Sequence, residues 1–308
     1  MKVFRNLKDL NLTENNVVTT GTFDGVHVGH RHVIDSLISS AKKMEGESTI
    51  LTFFPHPRIV LQQNTDLKLL SELDEKIELL ANTGVDNLVI VPFTKAFSRL
   101  SSLDFVREVL VGKLTTKKLV IGYDHHFGRN REGSFKHLVE YGPTYGFDVE
   151  EIPAKDVDKV NISSTKIRKA LNDGQVKIAE SLLGYKYFIT GEVVKGKQVG
   201  QKIGFPTVNI KVKDDYKLIP LRGVYAVLVD IGGGTHKGML NIGVRPTFED
   251  GNDISIEVNL FDFKRDVYGE NLKVTFVERV RDEKSFENSE GLILQLKKDR
   301  VNCIKLLR

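Results

Sequence analysis

The residues best suited to chemistry stand in short runs far apart in the chain. At 21–30 the order is Gly21, Thr22, Phe23, Asp24, Gly25, Val26, His27, Val28, Gly29 and His30. Glycine lets a backbone approach a ligand closely, and imidazole can donate to phosphate oxygens. At 162–168, Ser163, Ser164 and Thr165 precede Lys166 and Arg168. Ser163 or Ser164 suits a helix N-cap, and the open N–H groups of a helix start, with Lys166 or Arg168, can clamp phosphate. Thr165 and Arg168 are neighbours on one face of such a helix. Nucleotide-phosphate handling is the chemistry both runs indicate. The glycines at 21, 25 and 29 lie four apart, unlike GxGxxG, and no Gly-Lys-Ser/Thr follows them. His27, His30 and His32, or Asp124, His125 and His126, could instead ligate a metal, but a metal gives no reason for the adjacent glycines.

A second concentration begins at 191. Glycines at 191, 196, 200 and 204 make a pliable flap, and Thr207 and Asn209 flank Val208. In a strand the two share one face, and a hydroxyl with an amide oxygen suits Mg²⁺ and phosphate. Pro206 argues for an edge or an interrupted strand there. Further on, Ser255, Glu257 and Asn259 alternate with apolar residues. Alternation alone fits a solvent face. A kinase acting on an alcohol, however, needs a carboxylate near that hydroxyl, and Glu257 would supply it.

The elements that must position these groups divide into two textures. Through about 183, apolar runs at 17–20, 50–54, 88–91, 119–121 and 149–152 alternate with helical patterns near 31–43, 74–83, 102–112 and 134–141. Near-continuous apolar strands between helices imply an α/β domain with a parallel sheet covered on both faces. Ligands bind beyond the carboxyl ends of such strands. The loop at 21–30, the run Phe54, Pro55, His56 and the run 122–128 all fall at those ends. After a helix at 175–183, strands read at 186–194, 204–210, 224–231, 237–241, 254–261 and 272–280, with one helix at 289–307 whose apolar positions include Leu292, Leu296, Val301 and Ile304. That texture implies a small antiparallel barrel with a terminal helix. The expected domains are therefore 1–183 and 184–308.

Bulk properties narrow the class. The chain has 308 residues, 40% hydrophobic and 28% charged, with net charge +4. The basic residues are dispersed, without the aromatic-rich basic tract of a nucleic-acid binder. Cys303 is the single cysteine, which excludes an internal disulfide and fits a cytoplasmic location. The first residues lack a signal-peptide pattern, and no apolar run is long enough to span a bilayer.

Taken together, these motifs resemble the bacterial bifunctional riboflavin kinase/FAD synthetase family. The first part carries an HxGH loop at 27–30, Phe-Pro-His-Pro at 54–57, Gly-x-Asp-x-x-Phe-Gly at 122–128 and ISSTxIR at 162–168. The second carries Gly-Phe-Pro-Thr-x-Asn at 204–209, Asn241 to Phe248, Glu257 and the Arg281, Glu283, Phe286 set. The resemblance implies a Rossmann-like nucleotidylyltransferase domain followed by a riboflavin kinase barrel. Riboflavin and ATP would give FMN and ADP, and FMN and a second ATP would give FAD and pyrophosphate, each with Mg²⁺. It implies that His27, His30 and Arg168 serve adenylyl transfer, with Gly21, Phe23, Asp24, Gly29, Asp124, Ser164 and Thr165 around the nucleotide. Phe54, Pro55 and His56 would line the flavin or nucleotide pocket. In the barrel, Gly196, Gly200, Thr207 and Asn209 would take Mg²⁺–ATP, Glu257 would act as base, and Arg281 and Glu283 would order the flavin side. Departures from the family pattern are Gln201, Ile203, Asn259 and the His125, His126 pair. The alternatives are a nucleotidylyltransferase acting on a pantetheine phosphate or a CTP-linked substrate, and a flavin- or nucleotide-binding regulator. The second set of motifs speaks against the former, and an intact set of catalytic groups against the latter.

Overall fold

The computed structural model describes residues 1–62, 65–123, 125–153, 162–196, 200, 203–246 and 252–308. The chain forms two compact units, Met1–Ser164 and Thr165–Arg308. The first is built on a six-stranded sheet in the order β1 (Lys2–Phe4), β4 (Asn87–Pro92), β3 (Glu47–Phe54), β2 (Asn16–Thr20), β5 (Thr116–Gly122) and β6 (Asp148–Ile152). Every pairing is parallel. Val17, Val18, Ile50, Leu88 and Val89 are fully buried, as expected for strands covered on both faces. Each such side chain stabilises the fold by roughly 1.5–3 kcal/mol. β1 was not expected; it is a short edge strand with little burial, so it leaves almost no hydrophobic pattern.

Helix α1 (Val28–Lys43) buries Ile34, Leu37 and Ala41. Next come α2 (Pro57–Leu61) and α3 (Leu73–Ala81). The expected helix at 102–112 is α4 (Ser102–Asp104) continued by a π-helical stretch, Phe105–Val111. α5 (Phe135–Tyr145) precedes β6. In the sheet, β3, β4 and β1 lie on one side of β2 and β5 and β6 on the other. The loops leaving β2 and β5 therefore diverge at the switch point where a ligand crevice forms.

The second unit contains α6 (Ser164–Asn172, all but its first residue) and α7 (Val176–Leu183). These lead into a closed antiparallel barrel in the order β10 (Gly234–Pro246), β11 (Asn252–Leu260), β8 (Val208–Lys211), β7 (Phe188–Val194), β12 (Asn271–Arg281) and β9 (Gly223–Ile231). α7 packs on β12, and the Leu221 N–H donates to the Leu171 carbonyl at 3.0 Å. The compact units therefore divide at 164/165, earlier than the change of texture near 184.

Two features of the barrel differ from expectation, and a third decides between the two readings left open for the β11 row. The strand expected at 204–210 begins only at Val208; Gly204 has φ +81° and Pro206 has no N–H, so Thr207 precedes the strand. β10 is much longer than 237–241. The alternating β11 row is not a solvent face, because Asn259 is 3% exposed and the opposite-facing Val258 is 0%. Helix α8 (Ser289–Leu306) contributes Leu292 and Leu296 to a cavity that Glu257 and Asn259 also line. α8 packs through Ile293, Leu296, Cys303 and Ile304, with Leu307 just beyond it, on Ala226, Met239 and Phe261 of the barrel side, whereas Val301 is 52% exposed.

Candidate functional site

In the first unit the site is the loop between β2 and α1. The Gly21 N–H donates to the Leu51 carbonyl at 3.0 Å, and a Cβ on Gly21 would meet the Phe23 ring at 3.1 Å. Phe23, Gly25 and Val26 have φ of 47°, 79° and 38°, a sharp path for which Gly25 is the natural residue. His27 caps α1, accepting the His30 N–H on its Nδ1 at 3.3 Å. Acceptance at Nδ1 leaves the proton of the neutral ring on Nε2. The His27 and His30 rings stack with centroids 3.6 Å apart, and Phe23 meets His30 edge-on at 5.2 Å. Gly29 is buried in the first turn.

Burial, then the neighbouring His27 and Lys76, push the His30 pKa well below its ordinary value. His30 is therefore neutral at pH 7, a ring able to donate or accept a hydrogen bond without carrying charge. Its Nδ1 is buried without a hydrogen-bond partner among the described residues.

Asp24 is 2% exposed, and its Oδ1 accepts the N–H groups of Leu70 and Ser71 at 2.9 and 3.2 Å. The Ser71 hydroxyl in turn accepts the Gly25 N–H at 3.1 Å. Asp24 thus ties the loop to the segment ahead of α3. Lys76 on α3, which sequence reasoning passed over, donates to the Thr22 carbonyl at 2.8 Å. Burial lowers its pKa and the Asp24 charge opposes that shift. Only the amphipathic placement of 74–83 was legible; a lysine on the buried side of that helix was the missed signal.

At the neighbouring strand ends, Phe54 and Pro55 are exposed at the end of β3 and His56 caps α2, accepting the Arg58 N–H at 3.2 Å. Beyond β5, His125 Nε2 lies 3.2 Å from the Thr20 hydroxyl at the end of β2. Its pKa is lowered to about 4 by burial first, then by His126 and Arg131. Asp124 lies outside the described residues. Ser164, the last residue of this unit, donates its hydroxyl to the Asp24 carbonyl at 3.2 Å; the loop at 21–30 and the start of the 162–168 motif are therefore in contact. Thr165 and Arg168 follow in α6 within the second unit.

The second unit holds a cavity of about 630 Å³. Gly200, Thr207, Glu257, Arg281, Glu283 and Phe286 are among its lining residues. Glu257 pairs with Asn209 in the β8–β11 register, and the Thr207 hydroxyl lies 3.4 Å from Glu257 Oε2. Two glycines are required by close approach. A Cβ on Gly196 would stand 1.9 Å from the Asn209 amide nitrogen, and one on Gly200 2.3 Å from the Phe205 carbonyl oxygen. Asn259, the departure from the usual histidine, donates to the Pro206 carbonyl at 2.7 Å and so holds the turn before Thr207. Gln201 and the end of the Asn241 to Phe248 motif, 247–248, lie outside the described residues.

Two family models account for nearly all of the chain: one described as FAD synthetase matches residues 9–166, and one described as riboflavin kinase matches 183–307. The chain is 42% identical over 286 residues to the bifunctional riboflavin kinase/FMN adenylyltransferase of Listeria monocytogenes, covering 92% of this chain and 90% of the relative. This chain belongs to the bifunctional riboflavin kinase/FMN adenylyltransferase family. The Escherichia coli K12 member is 36% identical over 306 residues, 98% of this chain and 97% of its own. A solved structure described as a macrolide-efflux protein from Streptococcus pneumoniae matches with TM-score 0.87 and 33% identity, over 97% of this chain and 96% of that one. Efflux is said of that protein; here, among the described residues, no helix is long and apolar enough to cross a membrane. Nor do the described residues hold a group of three or more His, Cys, Asp or Glu able to bind a metal.

Proposed function

We infer that the chain catalyses two successive ATP-dependent steps on a flavin. In the barrel unit the ribityl 5′-hydroxyl of riboflavin attacks the γ-phosphorus of ATP, giving FMN and ADP. In the α/β unit a phosphate oxygen of FMN attacks the α-phosphorus of a second ATP, giving FAD and pyrophosphate. The observation that carries this reading is the pair of family models, one on each half of the chain, together with full-length bifunctional relatives. A nucleotidylyltransferase for another acceptor has no use for the second half.

For the kinase step we assign Glu257 as the base that takes the hydroxyl proton. Its carboxylate lines the cavity beside Thr207, and general-base help is worth roughly 10²–10⁴-fold. Thr207 and Asn209 are the residues we assign to Mg²⁺. The fit is chemical: both offer oxygen donors, Asn209 is opposite Glu257, and Gly196 packs on the Asn209 amide. When bound, Mg²⁺ supplies neutralisation of phosphate charge. Arg281, Glu283 and the apolar Phe286 and Leu292 make the flavin end of the same cavity.

For adenylyl transfer we assign His27 and His30 as neutral ring donors to ATP phosphates. The unpartnered His30 Nδ1 supports this, since a buried polar atom without a partner is costly unless a ligand satisfies it. The start of α1 adds its N–H groups. Gly21, Phe23 and Gly29 shape the loop; Asp24 holds it. By the family motif we assign Ser164, Thr165 and Arg168 to the phosphates as well, with Arg168 as a permanent charge. By the family motifs we assign Asp124 to the nucleotide, and Phe54, Pro55 and His56 to the flavin or nucleotide. Such chemistry needs positioning and charge stabilisation more than covalent help. The two modules we assign are 1–183 and 184–308. A cytoplasmic location belongs to this reading, supported by the single cysteine.

The test is to incubate the purified protein with riboflavin, ATP and Mg²⁺ and to resolve FMN from FAD. Both products are expected, with ADP and pyrophosphate in step. FMN without FAD, even when FMN is supplied, would remove the α/β assignment; neither product would remove both.

A further inference from the structure

Asp299 is the one buried carboxylate among the described residues of the second unit, 1% exposed on α8. It accepts Arg281 Nε at 3.1 and 3.0 Å on its two oxygens and Arg281 Nη2 at 2.7 Å. Gln295, one turn earlier on the same helix, donates to Asp299 Oδ1 at 2.8 Å. The far side of the guanidinium is also engaged, with Arg281 Nη1 donating to the Asp282 carbonyl at 2.7 Å.

Arg281 is the last residue of β12, and 282–288 then runs without regular structure to Asn288, the N-cap of α8. Apart from Phe286 this stretch is exposed, so packing does little to fix its path. It nonetheless carries Glu283 and Phe286 to the cavity that Glu257 lines. Glu283 is closely seated there: a Cβ on Gly243 would stand 2.4 Å from its Oε1. α8 holds the stretch at both ends, through Asn288 accepting the Gly291 N–H at 2.9 Å and through Asp299 gripping Arg281, while on the β12 side Arg281 pairs with Val224 of β9 and Arg279 Nη2 donates to the exposed Asp282 Oδ1 at 2.6 Å. A buried ion pair adds little stability over an apolar pair of the same shape. With both edges of its fork occupied, Arg281 has little left to offer a ligand directly.

We infer that Asp299, set by Gln295, is a positioning residue for the flavin: it locks Arg281, and with it the path of 282–288, so that Glu283 and Phe286 stand at the cavity. This rests on reading the cavity as the riboflavin kinase site. A stretch released at one end has to be ordered by the flavin itself, and that ordering is subtracted from affinity. The burden falls on riboflavin alone, since Thr207 and Asn209 lie on other elements.

The test compares Asp299→Asn and Asp299→Glu with wild type, reading riboflavin Kd by fluorescence quenching, KM for riboflavin and for ATP in the kinase step, thermal midpoint, and FAD formation from supplied FMN. Asp299→Asn should raise Kd and KM for riboflavin roughly 10-fold, leave KM for ATP and FAD formation within about 2-fold, and be partly rescued in Asp299→Glu. Should Asp299→Asn fail to fold, Gln295→Leu, which removes only the orienting amide, should raise riboflavin KM by about 3-fold. A folded variant with wild-type riboflavin affinity overturns the clamp, as does a parallel rise in both KM values. Wild-type protein that binds no riboflavin overturns the cavity assignment, and the inference with it.

Discussion

The β2–α1 loop and the barrel cavity both handle nucleotide phosphates in this reading, yet they are built in opposite ways. The loop is held by buried side chains, two of them bonded to backbone: Asp24 to the N–H groups of Leu70 and Ser71, Lys76 to the Thr22 carbonyl, and His27 stacked on His30. The cavity is held by backbone approach and by anchors at a distance: Gly196 against Asn209, Gly200 against Phe205, and Arg281 against Asp299. In the first case removing a side chain unmakes the site. In the second, adding a methyl group does.

Substitutions can break or sharpen this contrast. The largest effect is expected for Glu257→Gln, which should lower FMN formation about 10²–10⁴-fold and leave FAD formation from supplied FMN intact. Loss of both activities in a folded protein would mean the sites are not separate. His30→Ala should do the reverse, lowering FAD formation roughly 10²–10³-fold while riboflavin phosphorylation continues; a product assay on each substrate reads it. Gly196→Ala, whose new carbon would stand 1.9 Å from the Asn209 amide nitrogen, should cost the kinase about 10²-fold through misplacement alone. A silent Gly196→Ala would show that the barrel site is not defined by backbone approach.

The smallest expected effect is in pH dependence. His125 has its pKa lowered to about 4, against about 6.5 in an unfolded chain. Between those values the unfolded state binds more protons, so stability rises with pH from about 4 to about 6.5 and is flat above. His30 adds to the same slope, its pKa being lowered as well. His125→Phe should flatten that part of the slope, measured as denaturation midpoint against pH. An unchanged slope would leave burial of His125 without the consequence drawn from it.

The order of elements was readable because strands covered on both faces leave near-continuous apolar runs and the barrel strands leave short alternating ones. What was not readable has particular causes. By alternation alone the β11 row Ser255, Glu257, Asn259 has the pattern of a solvent face; the fold instead seats Asn259 against the Pro206 carbonyl and places Glu257 and Asn259 on a cavity that α8 also lines. Lys76 and Asp299 are charged residues on helices, where exposure is the ordinary expectation; partners distant in sequence bury them. The three-residue β1 is too short to show a period.

The sequence alone determined the chemistry. HxGH at 27–30, ISSTxIR at 162–168, Gly-Phe-Pro-Thr-x-Asn at 204–209 and Glu257 are local runs in which residue type and spacing already state which atoms are available. Tertiary structure alone decided the condition of those atoms. His30 is neutral because burial, His27 and Lys76 surround it; Asp24 is spent on holding its loop; and Arg281 is turned toward Asp299 on α8. Charge state and orientation are set by neighbours across space, and such neighbours leave no periodic mark along the chain.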